Sequence, residues 1–455
     1  MSKDGALFED LPEQRREASE AAGRGGVRLR EARRDAVEFQ LVELDALLAP
    51  DHPVRAVWAF VEGLDLAALR AAIKAREGVS GRPPADPKIL VALWLYATIE
   101  GVGSARALAR LCESHIVYRW ICGGVSMNHH GLSDFRMGQA ALLDRMLVQG
   151  VAGLVSAGLV RLERLAQDGV RVRASAGTRS YRRRERLEKQ RADAQARVEQ
   201  LKKEVDGDPG ASNARRKAAQ ARAARERVER VEAALERMKQ LEEERARREK
   251  THKKDTQKQK EPRASTTDSE ARIMKMADGG FRPAYNGQFA SDPETQVIVG
   301  VDVDTTGSDG GLMMAMIEEI EESYGTKPRE YLVDGGYTKL DDIEAAYEAG
   351  IVIFTPLPDN KHGTDPADPR QSDGPGVTAW RKRMASEPGK QTYTERTKAE
   401  CVNAQFRNWS GYRLMVRGKE KVRTVLLWFA VAHNFMRSLA LQAKAAVAAP
   451  PPAMA

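Results

Sequence analysis

The chain has 455 residues and a mass of 50.3 kDa, a length that as a prior points to roughly two to four structural units. Its 73 Lys plus Arg against 65 Asp plus Glu give a net charge of +8, and 42% hydrophobic residues suffice for buried cores, which excludes wholesale disorder. Three cysteines (Cys112, Cys122, Cys401) without paired spacing argue against a disulfide scaffold or thiolate zinc site. The charged start lacks an apolar signal core, and no uninterrupted apolar run reaches the roughly 20 residues of a membrane helix, so a soluble cytoplasmic protein is expected.

In chain order, residues 1–41 are rich in charge and glycine and read as a loose leader. Residues 42–160 read as a helical unit. A helix is expected over 87–100, then a turn at Gly101-Val102-Gly103, a helix capped by Ser104, and a further start at Ser133. Two helices around a short glycine turn resemble a helix-turn-helix, although most such pairs are ordinary packing. The turn is no dinucleotide loop, because it follows a helix and lacks the third glycine. His129 and His130 are adjacent and without acidic or thiolate partners nearby, so solvent or packing roles are favoured over metal binding.

From 161 onward strands alternate with helices. A first strand is expected over 165–174, followed by a charged segment, 182–262. Within 181–260 there are 26 Lys/Arg against 16 Asp/Glu, a local excess of about +10 that leaves the rest of the chain near neutral. Such a concentrated field attracts polyanions, or belongs to merely solvated helices. Leu187, Ala194, Val198, Leu201 and Val205 repeat like a coiled-coil seam, Asp206-Gly207-Asp208-Pro209-Gly210 breaks it, and Val228, Val231, Leu235, Met238 and Leu241 form a second seam. This reads as a helical hairpin standing off the body, with 250–262 a solvated linker. Strands follow at 284–290 and 296–304, the latter placing Val297, Val299, Val301 and Val303 on one face. A helix over 311–324, a strand over 329–334, a helix over 341–349, a strand over 351–355 and helices over 394–409 and 423–440 complete the pattern. Residues 442–455 read as a frayed tail.

Three acids stand out. Asp168 lies at or within the first strand. Asp334 ends a strand immediately before Gly335-Gly336-Tyr337, where α/β folds place ligands and glycines let a phosphate or metal approach. Glu400 falls on a helix with Tyr393, Arg396 and Arg407, at spacings that align on one face. Together such carboxylates supply hard oxygen ligands for Mg²⁺ or Mn²⁺. Taken singly, Asp168-Gly169 reads equally as a hairpin turn, Asp334-Gly335 as a strand-ending loop, and Arg396–Glu400 as a surface ion pair. Asp302, Asp304 and Asp309 compete but rank lower, the first two lacking a glycine platform and Asp309 read as starting a helix.

Tyr393, Arg396, Glu400 and Arg407 resemble the Y-R-E-K signature of bacterial insertion-sequence transposases of the DDE type, with Arg407 in place of the usual lysine. Asp334-Gly335-Gly336-Tyr337 and Gln167-Asp168-Gly169 look like the second and first aspartate motifs of those enzymes. Thr267-Asp268-Ser269-Glu270-Ala271-Arg272-Ile273-Met274 and Ala284-Tyr285-Asn286-Gly287-Gln288 resemble segments between them. Asp51-His52-Pro53-Val54-Arg55, Arg82-Pro83-Pro84, Leu95-Tyr96-Ala97, Ser104-Ala105-Arg106 and Phe135-Arg136 resemble the family's amino-terminal domain. The resemblance implies an RNase H-like mixed α/β sheet with flanking helices (161–181 and 263–441), preceded by an all-α domain for DNA binding or assembly and interrupted by a coiled-coil insertion. It implies Asp168, Asp334 and Glu400 as catalytic, metal-binding residues holding two Mg²⁺ or Mn²⁺ ions. Tyr393, Arg396, Arg407, Tyr337, Asn286 and Gln288 would support them or contact DNA phosphate. It further implies double-stranded DNA as partner (terminal inverted repeats and target) and a homodimer on that DNA. The implied reaction is cleavage at element ends and transfer of the 3′-hydroxyl into target DNA. A non-catalytic DNA-binding regulator of transposase descent and a nuclease that cuts without joining are the alternatives.

Overall fold

The computed structural model describes residues 43–75, 83–207, 214–251, 261–358, 365–411 and 414–448, all of which except Glu43 belong to the unit Leu44–Ala455. The expected leader, Val205's side chain, most of the hairpin turn, most of the 250–262 linker, Arg82 and the end of the tail lie outside the described residues.

Helix starts follow the local chemistry. Pro53 and Pro87 occupy first turns of α1 (Pro53–Glu62) and α3 (Pro87–Ile99), capped by His52 and Asp86, with α2 (Ala67–Ala71) between them. Ser104 caps α4 (Ala105–Ser114), accepting from the Ala107 amide at 3.3 Å, and α5 (Ile116–Cys122) follows. The helix expected from Ser133 is capped five residues earlier. Asn128 accepts from the Gly131 amide at 2.7 Å and opens α6 (His129–Met137), before α7 (Ala140–Ser156). Every residue of 91–97 in α3 is buried, so this helix is central rather than amphipathic.

The first strand, β1 (Arg164–Arg173), runs straight through Asp168-Gly169, which is therefore not a hairpin turn. A two-stranded ribbon, β2 (Tyr181–Arg182) with β3 (Ala264–Ser265), brings together the ends of two long helices, α8 (Arg184–Gly207) and α9 (Ala214–Thr251). Leu187, Ala194 and Leu201 on α8 and Val231, Ala234 and Met238 on α9 are buried. Val198 and Leu235 are only half-buried, and the small Ala234 takes a buried place that a search for large apolar residues passes over.

After β4 (Arg272–Lys275), β5 (Phe281–Ser291), β6 (Ile298–Asp304), α10 (Leu312–Tyr324), β7 (Glu330–Leu332), α11 (Leu340–Glu348) and β8 (Val352–Phe354), the sheet order is β4–β5–β1–β7–β8, with β6 sharing the β4 edge of β5. The β4–β5, β5–β6 and β5–β1 pairs are antiparallel, whereas β1–β7 and β7–β8 are parallel. The expectation that four valines of β6 share a face is wrong. A register shift opposite Ala290/Ser291 sends Val297 and Val299 into one core and Val301 and Val303 into the other.

Helices α12 (Pro375–Ala385), α13 (Glu387–Thr394), α14 (Thr397–Phe406) and α15 (Lys419–Ala448) finish the fold. The single helix expected over 394–409 is instead α13, a break, α14 and a π-helical turn, Arg407–Gly411. One core joins the amino-terminal helices, α15 and one face of the sheet; the other packs α10, α11 and α12 on the opposite face. The change of grain near residue 160 is thus a change of secondary structure within a shared core. Residues Lys419–Val447 of α15 are long and apolar enough to cross a membrane, which the search for an uninterrupted apolar run passes over, yet 67% of their apolar window is buried in the fold.

Candidate active site

The parallel partner β7 covers β1 only from Arg164 to Ala166, so β1 runs on past it with a free edge. Asp168 lies just beyond that point, and Asp334 follows the end of β7. Both line one cleft of about 700 Å³ with Gly169, Val170, Arg171, Arg173, Lys275, Met276, Ala277, Asp278, Arg282, Asp309 and Arg407. This is the region outside the carboxyl end of a parallel strand where α/β sheets bind ligands.

Asp168 is held tightly. Its own strand donates the Gly169 amide to Oδ1 at 2.9 Å, and Asn403 of α14 donates Nδ2 to Oδ2 at 2.8 Å. Arg396 Nη1 lies 3.8 Å from Oδ1. Burial pushes the Asp168 carboxyl up to about 6; Arg396 opposes that shift, nearby Asp334 adds to it, and Asn403 opposes it again. Asp334 accepts the Gly336 amide at 2.7 Å, which fixes the turn Gly335–Tyr337.

The Y-R-E line does not form one helical face. Arg396 sits in the break between α13 and α14, where Arg164 of β1 reaches Glu395 at 2.8 Å and Glu330 of β7 at 2.5 Å. That clamp ties the break to the sheet and turns Arg396 inward, its side chain 14% exposed. Tyr393 is half-buried, its ring 5.8 Å from the Arg396 guanidinium. Glu400 accepts from Arg396 at 2.5 Å, but its side chain is 54% exposed and does not line the cleft. Arg407, at the start of the π turn, does line it.

Asn286, Gln288 and Tyr337 are at most 1% exposed, so their side chains lie beneath the cleft surface. They form the cleft floor. Tyr331 donates to Gln167 Oε1 at 3.0 Å, Gln167 donates to Gln288 Oε1 at 2.9 Å, and Tyr337 donates to the same oxygen. Gln288 and Asn286 then donate to Asp309 Oδ1 at 3.0 and 2.6 Å. The floor links residues beside both aspartates, since Gln167 precedes Asp168 and Tyr337 closes the turn after Asp334.

One residue of this site escapes the sequence reading and another, Asp309, is ranked too low by it. Asn403 lies one turn after Glu400, at 3% exposure with its Oδ1 unpartnered, and nothing in its local sequence distinguishes it. Asp309 carries a signal that was there to use: Asp309-Gly310-Gly311 repeats the glycine platform of Asp334-Gly335-Gly336, and α10 begins only at Leu312. A methyl at Gly336 would meet Asp334 Oδ1 at 2.9 Å and Asp309 Oδ2 at 3.5 Å, so the two carboxylates face one spot. Burial would raise the Asp309 carboxyl, but hydrogen bonds from Arg171, Asn286 and Gln288 outweigh it and hold it below the usual range.

Asp168 and Asp334 offer hard oxygens suited to a divalent cation. Among the described residues, no three His, Cys, Asp or Glu side chains are grouped as metal ligands, and Glu400 is turned toward solvent beside Arg396.

Residues 42–137 match the family model described as a transposase domain (DUF772), and residues 250–435 match the transposase DDE domain. The second match contains Asp334 and Glu400 but not Asp168. No curated protein and no solved structure matches the chain. With a transposase amino-terminal domain followed by a DDE domain on one polypeptide, the chain belongs to the insertion-sequence DDE transposases.

Proposed function

We propose that this transposase cleaves DNA at the ends of an insertion sequence and transfers the freed 3′-hydroxyl to target DNA, with Asp168, Asp334 and Glu400 as its acidic triad. The reading rests on one observation above others: two aspartates, distant in sequence, line a single cleft that also carries five cations, Arg171, Arg173, Lys275, Arg282 and Arg407, against two further acids, Asp278 and Asp309. Cations along such a cleft attract and orient a phosphodiester. A sheet order of β6–β5–β1–β7–β8, with β1 and β7 parallel and Asp168 and Asp334 at their edges, supports an RNase H-like catalytic core.

Asp168 and Asp334 would hold Mg²⁺ or Mn²⁺, two ions in the full site, with Glu400 joining once it leaves Arg396. When bound, the ions would supply charge stabilisation for an in-line displacement at phosphorus. This chain's own groups do the rest. Asn403 and the Gly169 amide orient the Asp168 carboxylate, the Gly336 amide orients Asp334, and the Arg164–Glu395 clamp fixes the break that carries Arg396. Arg396, released from Glu400, and Arg407 would then face phosphate charge. The antiparallel α8–α9 pair, read as a basic coiled-coil insertion, would add contacts along the DNA backbone, and two copies of the chain would pair the two ends.

Incubating the purified protein with DNA carrying both element ends and Mg²⁺ tests the reading. Strand-transfer products support it. Cuts without joining point to a nuclease, and a mobility shift with intact DNA points to a regulator of transposase descent.

A further inference from the structure

Arg171 and Asp309 have no part in the triad, yet both line its cleft. Arg171 stands three residues after Asp168 on the free edge of β1, its side chain 21% exposed. Its guanidinium is fixed from one side only. Nη1 and Nη2 donate to Asp309 at 3.2 and 3.0 Å, and Nη2 also donates to the Gly307 carbonyl at 3.2 Å. Asp309 is fixed in turn by the buried Asn286 and Gln288, and Asn286 keeps an unpartnered Oδ1 at 0% exposure beside Gly169.

The Arg171 guanidinium is braced by a charged, fully oriented partner and left partly open to a cleft whose next cation along the same strand is the exposed Arg173. Strand alternation puts residues 171 and 173 on the same side of β1. A guanidinium in a fixed orientation is suited to gripping phosphate oxygens, because its planar fork loses little freedom on contact.

We infer that Arg171 is a DNA-phosphate-binding residue of the active cleft and that Asp309 is the positioning residue that aims it. The inference rests on reading the cleft as the phosphoryl-transfer site. Asp309 touches no substrate in this account; it acts through Arg171 and, by way of Gln288 and Tyr337, through the turn that follows Asp334.

The test compares the full-length wild type with R171Q, R171K and D309N in two assays. Affinity for a linear duplex is measured in chelator over a range of salt, and nicking of supercoiled plasmid is measured with Mn²⁺. R171Q should lower the slope of log affinity against log salt by about 0.9, the contribution of one phosphate contact. R171K should retain that slope yet lose most nicking, since lysine cannot copy the two-point hold on Asp309. D309N should keep the salt slope, because the guanidinium charge remains, while nicking falls at least about tenfold, as expected for lost aim at the transition state. A merely structural role predicts lower melting temperatures for R171Q and D309N with an unchanged slope, and that result overturns the inference. If wild type itself neither binds the duplex nor nicks the plasmid, the active-site reading fails first. If wild type does both and R171Q keeps its slope, this inference alone falls.

Discussion

The floor of the cleft is built around an absence, the side chain of Gly169. A β-carbon there would lie 2.8 Å from Gln288 Nε2, 2.9 Å from Asp309 Oδ1 and 3.0 Å from Asn286 Oδ1. None of the three can withdraw freely, because Asn286 and Gln288 are buried and both are bonded to Asp309. In Gly169→Ala the methyl must push the cluster apart. Overpacking a filled interior costs roughly 1–3 kcal/mol, and a hydrogen bond broken within a buried set adds about 1 kcal/mol. A loss of about 2–4 kcal/mol is therefore expected, read as a melting temperature lowered by several degrees. The neighbouring Asp168 should also shift, so nicking should fall further than the stability loss alone explains. Gly177→Ala is the control, since a β-carbon there meets nothing within 4 Å and the backbone is not left-handed. Equal melting temperatures for the two variants would refute the crowded-floor argument.

Other expectations follow from the same geometry. Glu400→Gln and Asp334→Asn should abolish cleavage of end-containing DNA while leaving its binding nearly intact, as gel shift and product assays would reveal; full cleavage by either removes that residue from the triad. Asp168 has a folded pKa of about 6, raised chiefly by burial, above the ordinary aspartate value. Its stabilising contribution is thus complete below about pH 4 and is lost as pH rises through about 6. In chelator at pH 8, Asp168→Asn should melt at a higher temperature than wild type, with the gap closing toward pH 4; a lower melting temperature at pH 8 would contradict the burial argument. The unpartnered Asn403 Oδ1 gives the new amide an acceptor if the Asn403 side chain turns over. Replacing residues 184–260 by a short Gly/Ser turn should weaken duplex affinity and flatten its salt dependence, because β2 and β3 already meet across the gap. An unchanged salt slope would mean that the paired helices are merely solvated.

Local chemistry made many of the elements readable. Ser104 before its helix and the glycines after Asp334 each carry their own signal. What failed were features decided by partners far along the chain. Asn128 outcompeted Ser133 as a cap. A register shift against β5 divided the β6 valines, and only the pairing reveals it. The break at Arg396 comes from Arg164, more than two hundred residues away, drawing Glu395 to the sheet. Spacing put Tyr393, Arg396, Glu400 and Arg407 on one helical face, which the break at Arg396 undoes, and it could not show that Glu400 turns to solvent or that Asn286, Gln288 and Tyr337 lie beneath the cleft. Asn403 was invisible for the same reason: its role exists only because α14 crosses β1.

Ligation of metal by the three acids is the claim on which the rest depends, and replacing each by cysteine tests it residue by residue. Thiolate binds Mg²⁺ poorly and accepts the softer Mn²⁺ better. Asp168→Cys, Asp334→Cys and Glu400→Cys should each be inactive on end-containing DNA in Mg²⁺ and recover cleavage in Mn²⁺. Recovery by both aspartate variants with none by Glu400→Cys would contradict the account, leaving Glu400 as the outward partner of Arg396 and the triad incomplete.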